Sequence, residues 1–202
     1  SKGRRLWDSR HNKSFLDMFS CFASLPVGLN HPKMADPDFR EKLLRAALAN
    51  PTNSDVFTTE YAEFVDTFGR VGIPAELPHA FFVAGGALGV ENALKAAMDW
   101  KVRRNMVKGV MGEKGTQVIH FKEAFHGRSG YTVSMTNTAD PRKYQYFARF
   151  PWPRVSNPML RFPVDAAELE RVAKAEAQSL AEIRAAFAKN PDDICAIILE
   201  PI

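Results

Sequence analysis

The sequence predicts an α/β fold with a mainly parallel sheet, and three observations carry that expectation. From residue 80 onward short apolar runs alternate with stretches of helical period, the rhythm of strand–helix–strand units. The run Ile194 to Leu199 is apolar throughout, as in a parallel strand covered on both faces. Between the apolar run Ala80–Ala84 and the helical pattern that follows stand Gly85, Gly86 and Gly89, the signature of a tight strand-to-helix turn.

Residues 1–35 contain short alternating pieces around Arg5–Asp8 and Ser14–Phe19, separated by polar turns, and predict a small β-meander. From Asp36 to Ala49 the spacing of Phe39, Leu43, Leu44, Ala47 and Leu48 is helical, and Asn50-Pro51 ends it. A second helix is expected over Glu60 to Arg70, with Tyr61, Phe64, Val65 and Phe68 on one face. Ala80–Ala84 reads as a short strand. The helix after the glycines is expected over Gly89 to Arg104, with Val90, Ala93, Leu94, Ala97 and Met98 facing inward. Gln117–Phe121 is the next strand, followed by a loop over residues 123–127. Residues 139–163 hold five prolines and are too long for a simple connector. Asp165 then caps a long helix, with Glu168 as a capping-box partner and Leu169, Val172, Leu180, Ile183 and Phe187 facing inward.

The composition sets the bounds. The chain has 202 residues, 46% hydrophobic and 25% charged, an ordinary globular balance. A formal net charge of +4 with no long basic run gives no support for nucleic-acid binding. Met18 to Leu29 is too short to span a bilayer and is broken by Pro26. Two distant cysteines, Cys21 and Cys195, make neither a disulfide framework nor a metal site. They fit a reducing compartment, and a cytoplasmic location is expected. The chain opens on Ser1 and stops at Leu199-Glu-Pro-Ile202, just after the last strand, so a segment of a longer protein is expected.

Three constellations carry chemistry. A strand turning through Gly85-Gly86 into a helix presents free N–H groups and a positive dipole end, which suit a phosphate. It is not a dinucleotide fingerprint: Ala84-x-Gly86-x-x-Gly89 lacks the first glycine, and no acidic residue closes a second strand. The second is Phe125-His-Gly-Arg-Ser-Gly-Tyr131, where an aromatic and a histidine can meet a flat ring and Arg128 offers a planar fork for a carboxylate. Ser129 is not placed as a hydrolase nucleophile, since Tyr131 stands where G-x-S-x-G needs glycine. The third is Glu200, just past the last strand, at the sheet edge where α/β proteins bind ligands. Each has a bland alternative, namely a turn without ligand, a helix cap with a surface arginine, and a solvated glutamate. Together they describe one pocket for a phosphorylated flat cofactor and an amino or keto acid.

On these residues the chain resembles the class III (ω-amino acid) aminotransferases of the fold-type I pyridoxal-phosphate group, over essentially all of its length. Further matches are Gly28-Leu-Asn-His-Pro32, Pro51-Thr-Asn-Ser-Asp55 and Leu199-Glu-Pro-Ile202. The commoner family pattern carries a hydroxyl residue at the phosphate turn. Here Gly85-Gly86-Ala87-Leu88-Gly89 stands instead, a form similar to the lysine-acting branch. The resemblance implies a small α+β domain beginning in residues 1–50 and part of the large cofactor domain in residues 51–202. It implies that Gly86 and Ala87 hold the phosphate of pyridoxal 5'-phosphate, that Phe125 stacks on the ring with His126 beside it, and that Arg128 and Glu200 serve the substrate. It implies that residues 20–30 line the substrate entrance and that Asn53 and Ser54 approach the interface of a homodimer with shared active sites. The reaction implied moves the terminal amino group of L-lysine to 2-oxoglutarate, giving 2-aminoadipate 6-semialdehyde and L-glutamate. The family's Schiff-base lysine would lie beyond Ile202, so no catalytic residue is assigned within the chain, and no metal is expected. Another ω-aminotransferase, acting on ornithine or 4-aminobutyrate, and a Rossmann-type nucleotide-binding protein remain as alternatives.

Overall fold

The computed structural model describes residues 1–22, 24–49 and 55–201, so Asn53 and Ser54 lie outside the described residues. The chain forms two compact units, Ser1–Ala80 and Phe81–Ile202, dividing later in the chain than residue 50.

In the first unit β1 (Arg5–Asp8) and β2 (Lys13–Leu16) pair antiparallel, with Leu6 opposite Phe15 and Trp7 opposite Ser14. This hairpin is what the expected meander becomes. Helix α1 (Pro37–Leu48) begins at Asp36, whose carboxylate accepts from the N–H groups of Asp38 and Phe39. Thr58 does the same for α2 (Thr59–Val71) through the Tyr61 N–H. The two helices are linked by Lys42–Glu63 and Arg45–Glu60 ion pairs at the surface. Phe57, just before α2, stacks on Tyr61, and along the helix Tyr61, Phe64 and Phe68 follow at the expected helical spacing, the first pair tilted and the second stacked.

The second unit carries a parallel sheet in the order β4-β3-β5, with β3 (Gln117–Phe121) between β4 (Arg154–Val155) and β5 (Ile194–Ile198). Successive residues of a strand face opposite sides, and β3 shows it. Val118 packs with Leu94 of α3 (Gly86–Val107) and Met135 of α4 (Gly130–Met135). Ile119 packs on the other side with Val155, Ile194 and, from α5 (Ala166–Lys189), Ile183 and Ala186. The sheet is thus covered on both faces, as the parallel arrangement requires. Val118 and Ile119 are fully buried.

Four expectations change. Residues 80–84 form no strand and lie outside the sheet among the described residues. The helix after the glycines starts at Gly86 and not Gly89, and Ala93 lies on its exposed side. On α5 Val172 and Ile183 face inward as expected, joined by the small residues Ala175, Ser179 and Ala186, while Leu169, Leu180 and Phe187 are exposed. Asp165 does cap α5, through the Glu168 N–H, but the Glu168 carboxylate turns to the Arg161 N–H and the Arg171 guanidinium rather than closing a capping box.

Asp193 fixes the start of the sheet. Its carboxylate accepts from the N–H groups of Gly115 and Thr116 and from the Gln117 amide. Burial alone would raise its pKa, but these donors outweigh that and hold it below the usual carboxylate range. Beside it, Asn105, 1% exposed, donates to the carbonyls of Lys114 and Asp192.

Candidate functional site

Gly86, Ala87, Phe125, His126, Arg128 and Glu200 lie in the second unit, at the C-terminal end of β3 and β5 and the N-terminus of α3, whereas residues 20–30, expected to line the substrate entrance, belong to the first unit. Gly85 precedes α3 with φ +97°, a conformation that excludes an ordinary side chain. No side chain caps this helix end, and no acidic residue occupies its first turn. A Cβ built on Gly86 would meet nothing within 4 Å, so open space lies against that turn. The N-terminus of α3 therefore keeps its donors and its dipole for something outside the helix.

The loop 125–129 is fastened against that turn. Gly127 has φ +123°, and a Cβ there would stand 2.8 Å from both Ala87 Cβ and Thr132 Oγ1. Only glycine allows the loop to lie directly on Ala87. Several backbone groups of the loop are held as well. The Phe125 N–H donates to Glu200 Oε2 at 2.8 Å, and the His126 N–H donates to Thr136 Oγ1 at 3.0 Å. Thr136 in turn donates to the Gly127 carbonyl at 2.7 Å. The Glu123 N–H donates to Asn137 Oδ1, and the Asn137 amide donates to the carbonyls of Phe121 and Met135. Asn137 thereby joins the end of β3 to the end of α4.

Glu91, on α3 one turn beyond Ala87, completes the arrangement. Its Oε1 accepts from Ser129 Oγ at 2.7 Å, from the Tyr131 N–H at 2.8 Å and from the Thr132 N–H at 3.3 Å. The side chains exposed at this frame are Phe125, which keeps 41% of its surface, and Arg128, which has no hydrogen bond or ion pair among the described residues. The ammonium of Lys143 sits 5.6 Å from the Phe125 ring centre, a cation–π contact.

His126 is buried, and its Nε2 has no partner. Burial lowers its pKa, while the nearby Glu200 carboxylate opposes that shift. His120, directly below on β3, is 1% exposed, and its Nδ1 is likewise unpartnered. Burial, with smaller contributions from Arg154 and His126, pushes it down to about 4.

The structure thus brings together Gly86, Ala87, Phe125, His126 and Glu200 and leaves Arg128 free beside them. Glu91, Thr132, Thr136, Asn137 and Lys143 belong to the same frame and were not expected from the sequence. One of them carried a signal. Glu91 falls on the inward stripe of α3 with Leu94, Met98 and Asn105, and a carboxylate on such a stripe must have donors.

A three-layer α/β unit with an uncapped helix N-terminus, an exposed aromatic and an unpaired guanidinium offers an anion site, a ring platform and a planar cationic fork, which suit a phosphate-bearing flat cofactor and a carboxylate. The uncapped turn, the open space at Gly86 and the unpartnered Nε2 of His126 fit such a cofactor. The chain belongs to the class-III aminotransferases, whose family model matches residues 1–202. L-lysine-epsilon aminotransferase of Mycobacterium tuberculosis (strain H37Rv) is 48% identical over 204 residues, covering 100% of this chain and 44% of the relative. The enzyme of the same description from Streptomyces clavuligerus is 46% identical with the same coverage. The solved structure of lysine aminotransferase from M. tuberculosis matches with a TM-score of 0.90 and 47% identity, over 99% of this chain and 45% of that one. The chain therefore spans less than half the length of the relatives it matches.

Proposed function

We propose that this chain is the N-terminal part of a pyridoxal-phosphate-dependent aminotransferase that moves the terminal amino group of L-lysine to 2-oxoglutarate. The observation that carries the reading is the seating of Gly127 on Ala87, which sets the Phe125–Arg128 loop against the uncapped start of α3. Similarity at 46–48% identity to enzymes described as acting on lysine supports the choice of donor.

In this reading Gly86 and Ala87 receive the cofactor phosphate on backbone N–H groups. Phe125 supplies the ring platform and His126 a neutral imidazole beneath it. Arg128 pairs with the carboxylate of the amino acid or oxo acid, and Glu200, already engaged by the Phe125 N–H, joins the polar edge of the pocket. When bound, the cofactor supplies the electron sink, while the protein supplies binding, orientation and control of protons. The lysine that carries the cofactor in this family would lie beyond residue 202. Residues 1–50 would belong to the small domain and 51–202 to the large one, in a cytoplasmic homodimer with shared active sites. No helix among the described residues is long and apolar enough to cross a membrane.

The test is made on the full-length protein. Added pyridoxal phosphate should give a visible absorption band that survives dialysis. Lysine with 2-oxoglutarate should yield glutamate faster than ornithine or 4-aminobutyrate does. A protein with no such band is not an aminotransferase, and a protein that prefers ornithine or 4-aminobutyrate has another donor.

A further inference from the structure

Helix α3 touches the loop 125–132 at two points on one face, four residues apart. Ala87 receives Gly127, and Glu91 receives Ser129, Tyr131 and Thr132. The first contact is steric and gives no direction. The second is a buried carboxylate, 9% exposed, with three donors converging on a single oxygen. Two of those donors are backbone N–H groups in the first turn of α4, where a negative charge is favoured. Gly130–Met135 is short and opens on glycine, and its start is held jointly by the Ser129–Thr132 capping box and by the Glu91 carboxylate.

We propose that Glu91 is a positioning residue. It locks the loop that bears Phe125 and Arg128 to the helix whose N-terminus forms the phosphate cup, so that ring platform, carboxylate fork and phosphate cup share one rigid frame. The proposal rests on the aminotransferase reading above. Removing the carboxylate leaves the Tyr131 N–H without its acceptor and the Thr132 N–H with the Ser129 side chain alone. Of its two contacts with α3 the loop then keeps only the one at Ala87, and its Arg128–Tyr131 end is freed while Phe125, His126 and Gly127 stay held by Glu200 and Thr136. The phosphate site on α3 is left in place, while Arg128 loses its fixed distance from it.

The experiment uses the full-length protein and the variants Glu91→Ala and Glu91→Gln. Amide hydrogen exchange in cofactor-free protein should show faster exchange at Tyr131 and Thr132 in both variants, more in Glu91→Ala. With cofactor added, Glu91→Ala should retain it on dialysis but show a weaker visible circular-dichroism band. Its kcat/KM for lysine should fall about tenfold further than for n-butylamine, which has no carboxylate for Arg128 to hold, with most of the difference in KM. Glu91→Gln keeps the volume and one acceptor oxygen but not the charge, and should fall between. If Glu91→Ala does not fold, Glu91→Gln carries the same comparison. Unchanged exchange at Tyr131 and Thr132, or an unchanged ratio of lysine to n-butylamine, overturns the proposal. A wild-type protein without a cofactor band would sink the functional reading while leaving the exchange result to be judged by itself.

Discussion

Arg128 stands at the mouth of a well-fastened loop, yet its own guanidinium meets no hydrogen-bond or ion-pair partner among the described residues. In the proposed function a carboxylate-bearing substrate would be that partner. Arg128→Ala in the full-length protein is expected to lose about 2–3 kcal/mol of transition-state stabilisation with lysine and with 2-oxoglutarate. Arg128→Lys should recover only part, since an ammonium does not reproduce the fork. Steady-state kinetics with n-butylamine as control decide it, because equal losses for both donors would make Arg128 structural. His120 makes a different statement, about pH. Its folded-state pKa is pushed from 6.5 to about 4, so the fold accommodates the neutral ring. The unfolded chain takes up that proton near pH 6.5. The stability His120 confers is therefore complete above about pH 6.5 and is lost as pH falls toward about 4, in total on the order of 3 kcal/mol. Denaturant midpoints for wild type and His120→Gln at about pH 7.5 and about pH 5 check the sign. Wild type should lose more on acidification, and parallel losses would remove His120 as the cause.

The contact between α3 and the site loop depends on Gly127 having no side chain. Gly127→Ala forces a methyl to 2.8 Å from Ala87 Cβ and Thr132 Oγ1, neither of which is the end of a flexible chain, at a φ of +123°. A loss of about 2–4 kcal/mol is expected from strain and overpacking together, read as a lower denaturant midpoint of the full-length protein. A midpoint within about 0.5 kcal/mol of wild type would mean the loop is not seated on α3. The two motifs that meet here were legible in the sequence separately, as a glycine turn and as Phe125-His-Gly-Arg128. Their meeting was not, because it rests on Gly127 against Ala87, a close approach that no periodicity records. Helix α4 was illegible for the opposite reason. Gly130–Met135 is a single short helix that opens on glycine, and it is held by its Ser129–Thr132 cap and by Glu91 and Asn137 from outside. β4, two residues long, is too short to show a period. The longer elements β3, β5, α3 and α5 were readable because their apolar patterns run long enough to exceed local exceptions. On α5, however, Leu169, Leu180 and Phe187 misled, since the face turned to the sheet is shared by Val172 and Ile183 with the small Ala175, Ser179 and Ala186.

The strand pattern that found no partner and the strand that has only one raise the same question for the molecule. β3 is flanked on both sides, but β5, with Ile194, Cys195, Ala196, Ile197 and Ile198, pairs on one edge only among the described residues. An apolar edge of this kind invites another strand. Ala80–Ala84 is a second apolar segment left without a sheet neighbour, and Phe81 within it is 75% exposed. Exposed apolar side chains elsewhere, including Val107 at 90%, Phe162 at 88% and Met111 at 86%, exceed what a self-contained unit leaves to water. The relatives this chain matches are more than twice its length, and a sheet continued by the remainder of such a protein would pair both segments. Amide hydrogen exchange on the isolated 202-residue chain and on the full-length protein compares the two directly. In the isolated chain the outward amides of β5 and those of residues 80–84 should exchange at nearly unprotected rates, while Val118 and Ile119 of β3 stay protected wherever the unit folds. In the full-length protein β5 and residues 80–84 should gain protection together, because each would then lie inside a sheet. If β5 remained as exposed there as in the isolated chain, the three-stranded sheet would be complete as it stands, and the continuation of the fold beyond it would have to be abandoned.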